Sequence, residues 1–128
     1  MINSNKGYTL IELMIVTAMI TLLSVSVYKI RTENSIVQKN MLLRQKAIWS
    51  LESQADIMKS YVFEDLKTGE IYSFDSELIK QMNFRGALGN VRIEEISGKL
   101  KKIFLEITWP DARQVKQKLT LIVFRYNQ

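Results

Sequence analysis

The sequence contains no cysteine and no histidine, and its 128 residues include a single proline. Without cysteine the chain forms no disulfide, thiolate nucleophile, Fe–S cluster or cysteine-containing zinc site. Without histidine it lacks the commonest general base and the commonest metal ligand. The alternating Asp and Asn residues of a calcium-binding loop are missing as well. We therefore expect no enzymatic activity, no cofactor and no metal site.

The charge balance is mildly basic, with a formal net charge of +5 and an isoelectric point near 9.5. Cations concentrate in the C-terminal third, at Lys99, Lys101, Lys102, Arg113, Lys116, Lys118 and Arg125. Because Glu94, Glu106 and Asp111 are interspersed with them, we interpret these cations as part of a solvated strand face. Nucleic-acid binding through phosphate contacts is the alternative, but we do not expect nucleic acid as a partner.

One long apolar run spans residues 8–28 and contains neither glycine nor proline. A helix over this run is roughly 31 Å long, about the thickness of the hydrocarbon core of a bilayer. Its ten strongly apolar side chains contribute about −3 to −6 kcal/mol to membrane insertion. Glu12 is the only formal charge in the run, and it costs about 2.5–3.5 kcal/mol at the bilayer centre and less near one end, where it lies. We therefore expect this helix to cross a membrane.

The run is compatible with three kinds of segment. A secretory signal peptide is disfavoured, because the run is long, contains an acid and continues into Lys29 and Arg31 without a break. A plain single-span anchor fits the length, and Thr9 with Glu12 would then form a helix-capping box, but an unpaired carboxylate in lipid is rare. In the third interpretation, a neighbouring chain supplies a partner for Glu12 after processing.

Residues 6–16, with the sequence KGYTLIELMIV, favour the third interpretation. They closely resemble the class III signal of type IV pilins and of type II secretion pseudopilins. The resemblance implies that a prepilin peptidase cuts between Gly7 and Tyr8, removes the leader with its charged Lys6, and methylates the new amine of Tyr8. Tyr8 stands where this family usually has phenylalanine, a conservative aromatic change that we expect processing to tolerate.

The resemblance also implies a location and a set of partners. It implies a single-pass protein of the bacterial inner membrane, with a cytoplasmic N-terminus and an extracytoplasmic domain, that contacts lipid before assembly into a filament. Other pilin or pseudopilin subunits and an inner-membrane assembly platform are the further partners implied. In this family the glutamate that matches Glu12 meets the N-terminal amine of an adjoining subunit. Both charges are expensive alone in low dielectric and cheaper when paired, so such a pair sets register.

Residues 32–62 contain no glycine or proline and predict that the helix continues in amphipathic form. Apolar residues recur at spacings of three, four and seven, which marks one helical face; they are Ile36, Leu43, Ala47, Leu51, Met58 and Val62. We expect Ile48 and Trp49 to widen this face. Together the two halves predict one helix of about fifty residues.

Short elements are predicted in the rest of the chain. Gly69 marks a break, and Asp75 precedes a helix that we expect to end near Met82. Three strands of alternating apolar residues follow, with a hairpin turn at residues 97–99 and a second connection that begins at Pro110. The predicted fold class is α+β, in which a long N-terminal α-helix packs on a small three-stranded antiparallel sheet, as in pilins.

The pilin interpretation divides the chain into three parts. Residues 1–7 are a leader, residues 8–30 are the transmembrane and assembly half of the helix, and residues 31–128 are a pilin-like globular domain that includes the other half of the helix. The membrane segment has no helix-breaking proline, and no cysteine is available to close a C-terminal loop. In both respects the chain looks more like minor pilins and minor pseudopilins than like many major pilins. The alternatives are a minor pseudopilin of a type II secretion system and an uncleaved, single-span, membrane-anchored binding domain.

Overall fold

The computed structural model describes residue 7 and residues 9–128, so Lys6, Tyr8 and the rest of the predicted leader lie outside the described residues. The elements in chain order are α1 (Leu10–Ser60), a 3-10 turn (Phe63–Asp65), β1 (Ile71–Ser73), α2 (Ser76–Gln81), β2 (Leu88–Ser97), β3 (Leu100–Pro110) and β4 (Lys116–Tyr126). The chain separates into two compact units, residues 1–37 and residues 38–128. Helix α1 is 51 residues long and contributes to both units.

The sheet has four strands in the order β1-β2-β3-β4, and every neighbouring pair is antiparallel. The predicted α+β class and antiparallel sheet are confirmed, but the predicted number of three strands is wrong. The additional strand is β1, in which Ile71, Tyr72 and Ser73 pair with residues 90–92 of β2. Three residues are too few to show the period-two alternation by which a strand is recognised in a sequence. The predicted break at Gly69 is present, with a positive φ of 82°.

The core of the C-terminal unit lies between α1 and one face of β2 and β3. Alternate residues of these strands are buried and form a continuous apolar layer of Val91, Ile93, Ile103, Leu105, Ile107 and Trp109. Ala47, Leu51 and Met58 of the predicted helical stripe are buried in the same cluster, and Leu43 packs against it. The stripe prediction is therefore confirmed for these four residues.

Three residues that were expected on the buried apolar face are exposed instead. Val62 is 61% exposed because α1 ends before it, at Ser60. Trp49 and Ile48 are 63% and 39% exposed, because at about 100° per residue they point away from the sheet side of the helix. The buried side of the helix is completed by Ala55 and by two polar residues, Ser50 and Gln54.

The connection between β3 and β4 is fixed by the carboxylate of Asp111. Its Oδ1 accepts hydrogen bonds from the backbone N–H groups of Arg113 and Val115, both at 2.8 Å. The bond from Val115, assisted by that from Arg113, holds the pKa of Asp111 below its ordinary value of 3.8. The carboxylate therefore stays ionised at neutral pH and holds the loop that starts β4.

Lys101 is a buried cation on the otherwise apolar face of β3. Its Nζ donates hydrogen bonds to the carbonyl oxygens of Phe63 and Leu66, at 2.8 and 2.7 Å, and lies 4.4 Å from the centre of the Phe63 ring. These bonds join the segment that follows α1 to an inner strand of the sheet. Sequence analysis placed Lys101 among solvated cations, and the structure shows that this placement is wrong for Lys101.

We predict that Lys101→Met destabilises the C-terminal unit by about 1–3 kcal/mol, because two buried carbonyl groups lose their donor. Chemical denaturation of the full chain in detergent micelles, followed by the fluorescence of Trp49 and Trp109, measures this loss. Lys99→Met is the matched control, since Lys99 is exposed and its loss should change stability little. Equal stability of the two variants would show that the Lys101 hydrogen bonds contribute nothing.

Candidate functional site: the start of the long helix

The first turn of α1 is held by a pair of reciprocal hydrogen bonds. The backbone N–H of Thr9 donates to Glu12 Oε2 at 2.8 Å, and the backbone N–H of Glu12 donates to Thr9 Oγ1 at 3.3 Å. The carbonyl of Thr9 accepts the first helical bond, from Leu13 at 3.1 Å. This arrangement is a capping box, which satisfies amides that the helix itself leaves without acceptors.

The capping box and the charge pair across subunits make different use of Glu12. Capping uses one carboxylate oxygen and a neutral amide, so it supplies no counter-charge to Glu12. Among residue 7 and residues 9–128, no cation forms a salt bridge with it. The structure therefore shows that the capping box forms and leaves a second oxygen available for a cation. In the sequence analysis, the capping box and the charge pair are competing interpretations of Glu12. The observed geometry makes them compatible.

The predicted processing site lies immediately before this turn. Gly7 is exposed, and a Cβ added to it would meet no atom within 4 Å. Lys6 and Tyr8, the other two residues of the predicted site, lie outside the described residues. The structure thus places Gly7 and Glu12, and shows that the backbone at Gly7 is open to solvent.

Beyond this turn, the apolar side chains of the N-terminal unit have almost no protein to pack against. Within residues 10–30, the large apolar side chains are 48–74% exposed, from Val16 to Leu10 and Tyr28. In the described part of the chain, α1 is the one helix that is long and apolar enough to cross a membrane, with a mean hydropathy of 2.2 over its most apolar window. None of that window is buried within the chain. A soluble protein would bury such a helix in its core, so lipid or other chains must cover this one.

The hydroxyl groups in this segment are satisfied by the helix itself. Thr17, Thr21, Ser24 and Ser26 each donate to the carbonyl four residues earlier, at 2.7–2.9 Å. A hydroxyl that lacks a partner in an apolar environment costs several kcal/mol, and these bonds remove most of that cost. The polar residues of the run therefore do not prevent its insertion into a membrane.

Other kinds of site find little support in the described residues. No group of three or more acidic, His or Cys side chains is placed to hold a metal ion among residue 7 and residues 9–128. Two of the cations considered for nucleic-acid binding have partners within the protein. Lys101 is buried and donates hydrogen bonds to two carbonyl oxygens, and Lys118 Nζ lies 2.9 Å from Glu106 Oε2. These two cations are thus engaged within the protein.

Comparison with known proteins gives one match, which covers the start of the chain. Residues 2–28 match a protein family described as the prokaryotic N-terminal methylation motif. No curated protein and no solved structure matches the chain. The matched segment includes Gly7, Thr9 and Glu12, and it supports a type IV pilin-like or pseudopilin precursor that is anchored in a membrane by a single helix. It implies processing by a prepilin peptidase and assembly with other pilin subunits.

We predict that Thr9→Val weakens the first turn of α1 by about 1 kcal/mol, because the side chain that caps Glu12 N–H is lost. Hydrogen exchange of the full chain in micelles should then show the first-turn amides opening roughly fivefold more often. Thr17→Val is the control, since the Thr17 hydroxyl donates to a carbonyl that already belongs to the helix interior. Unchanged exchange in Thr9→Val would mean that the capping box adds no stability.

Proposed function

We propose that this chain is a minor pilin-like structural subunit, without catalytic activity, of a type IV pilus or a related filament. It is inserted in the bacterial inner membrane as a precursor, with residues 1–7 in the cytoplasm and the C-terminal unit outside. A prepilin peptidase cuts between Gly7 and Tyr8 and methylates Tyr8, and an inner-membrane assembly platform then moves the subunit into the filament. The observation that carries this proposal is the apolar helix of residues 10–30, which the chain leaves unburied and which overlaps a match to a prepilin-type methylation motif.

The exposed surface of this helix supports a role in two environments. In the membrane, lipid covers the apolar side chains; in a filament, the same helices of neighbouring subunits cover them. Because lipid tails are as apolar as leucine, the hydrophobic effect barely distinguishes these two states. Close packing and polar contacts between helices must therefore favour assembly.

Glu12 supplies the polar contact that this argument requires. Cleavage would create a cation at the amine of Tyr8, and the capping box leaves the charge of Glu12 unpaired. We propose that Glu12 accepts the amine of a neighbouring subunit while one of its oxygens stays bonded to Thr9 N–H. A buried pair of this kind fixes the register of neighbouring helices more than it adds stability.

The assignment to minor subunits rests on what the chain lacks: no proline occurs in residues 8–31, and no cysteine is present to close a C-terminal loop. A minor pseudopilin of a type II secretion system is the alternative within the same family. The genes next to this one would distinguish the two, since pilus and secretion operons encode different outer-membrane components. An uncleaved anchor for a binding domain is the alternative of another class.

We predict that co-expression of the full chain with an active prepilin peptidase removes residues 1–7 and adds one methyl group. Intact-mass spectrometry of the membrane-extracted protein measures both changes. An inactive peptidase provides the first control, and Gly7→Val provides the second, because a branched side chain then occupies the open space at the cut. A full-length mass in the presence of active enzyme would support the uncleaved anchor instead.

We predict that Glu12→Gln inserts into the membrane normally and enters filaments at least about tenfold less than the parent chain, because a buried amine loses its counter-charge. Glutamine can still accept the bond from Thr9 N–H, so this change removes the charge and retains the capping box. Immunoblots of membrane and sheared-filament fractions measure the two steps. Thr9→Val is the complementary variant, which weakens the cap and keeps the charge. Normal assembly of Glu12→Gln would refute the charge pair.

A further inference from the structure

Strand β4 forms a long edge of the sheet with no neighbour on its outer side. It pairs with β3 along all 11 of its residues without a register shift. Alternate N–H and C=O groups of an antiparallel edge strand point away from the sheet. Within the described part of the chain, no backbone hydrogen bond joins the outer side of β4 to another segment. The opposite edge is different, since β1 has only three residues.

The centre of this edge lacks the features that usually prevent pairing with another strand. Natural edge strands are shortened, bulged, or interrupted by charges or proline. Residues 119–124 contain no charge, no proline and no glycine, and they are rich in residues of high β-propensity. Ile122 and Phe124 are 45% and 59% exposed on the face away from α1. The centre of β4 is thus a regular, apolar and open template.

The ends of the edge carry charges of one sign. Residues 112–128 contain Arg113, Lys116, Lys118 and Arg125 and no acidic residue. A second copy of this strand would bring four more cations and no carboxylate to the same edge. Repulsion between like charges opposes such a pair. The charge pattern therefore disfavours a second copy of this strand and favours a segment with carboxylates at the matching positions.

At one end of the edge, Arg125 has a buried N–H group that needs a hydrogen-bond acceptor. It lies directly opposite Lys101 on the helix side of the sheet, and its Nε is buried without a hydrogen-bond partner among the described residues. Lys101 already donates to two carbonyls. Beside Arg125, a groove of about 640 Å³ opens between residues 59–64 and the last five residues of the chain. Glu64 also lines this groove, but no salt bridge joins it to Arg125 in the described residues.

We propose that the free edge of β4 binds an extended segment of another protein by strand addition. The segment is apolar in its middle and carries carboxylates opposite Lys116 and Arg125, with the second carboxylate entering the groove beside Arg125. Main-chain hydrogen bonds to the edge provide affinity, and the side-chain pattern provides selectivity. This interaction concerns the C-terminal unit and does not depend on processing of the leader.

The test uses the full chain in detergent micelles and a synthetic peptide of alternating valine and threonine, with glutamates placed to lie opposite Lys116 and Arg125. Fluorescence anisotropy measures binding, and hydrogen exchange locates it. We expect saturable binding that slows exchange of the amides of β4. A peptide with lysines in place of the glutamates should bind roughly tenfold more weakly. Ile122→Glu should weaken binding of the acidic peptide by a similar factor, whereas Ile96→Glu, a change at a somewhat more exposed position on β2, should not.

The proposal is overturned if the acidic peptide shows no saturable binding, if protection falls outside β4, or if the lysine peptide binds equally well. It is also overturned if the chain dimerises through β4, which would make a second copy the occupant. A single-stranded thymidine oligonucleotide is the remaining probe. Protection of β4 by this oligonucleotide and not by the acidic peptide would assign the cationic edge to nucleic acid.

Discussion

The apolar surface of residues 10–30 is unstable in water, and the rest of the molecule depends on this constraint. Residues 10–30 present large apolar side chains in every direction, and the chain itself buries none of the most apolar window. Such a surface must be enclosed by lipid or by other helices at every stage of the life of the protein. The remaining features of the N-terminal unit, from the internal bonding of its hydroxyls to the capping of its first turn, reduce the polar cost of that enclosure.

Under the proposed charge pair, the start of the helix would combine two functions in a few atoms. Thr9 and Glu12 close the first turn as they would in any water-soluble helix. Capping supplies no counter-charge to this carboxylate, and a charge at the end of an apolar helix is expensive unless an opposite charge meets it. Under the proposed charge pair, local helix stability and recognition between chains would depend on the same side chain.

The sequence predicted the parts of the fold that rest on a regular repeat of apolar residues. Leu51 and Met58 of the helix and Ile103 and Leu105 of β3 are buried as their spacing indicates. Features set by a few local contacts were missed or misplaced. Strand β1 is too short to show a period, and the burial of Lys101 depends on two carbonyls that lie more than thirty residues away in the chain. At the candidate site, the capping box was considered only as part of the plain-anchor alternative, yet both of its bonds form. The residue pattern was enough to suggest it, because all of its atoms lie within four consecutive residues.

The hydroxyl groups of the membrane segment have a consequence for movement. Thr17, Thr21, Ser24 and Ser26 are bonded to carbonyls of their own helix, so each donor travels together with its acceptor. Removing this helix from a bilayer and placing it among other helices breaks none of these bonds. These four hydroxyls therefore add nothing to the activation barrier for extracting the helix from the bilayer. In the proposed transfer from membrane to filament, these four hydroxyls would therefore anchor the helix to neither environment.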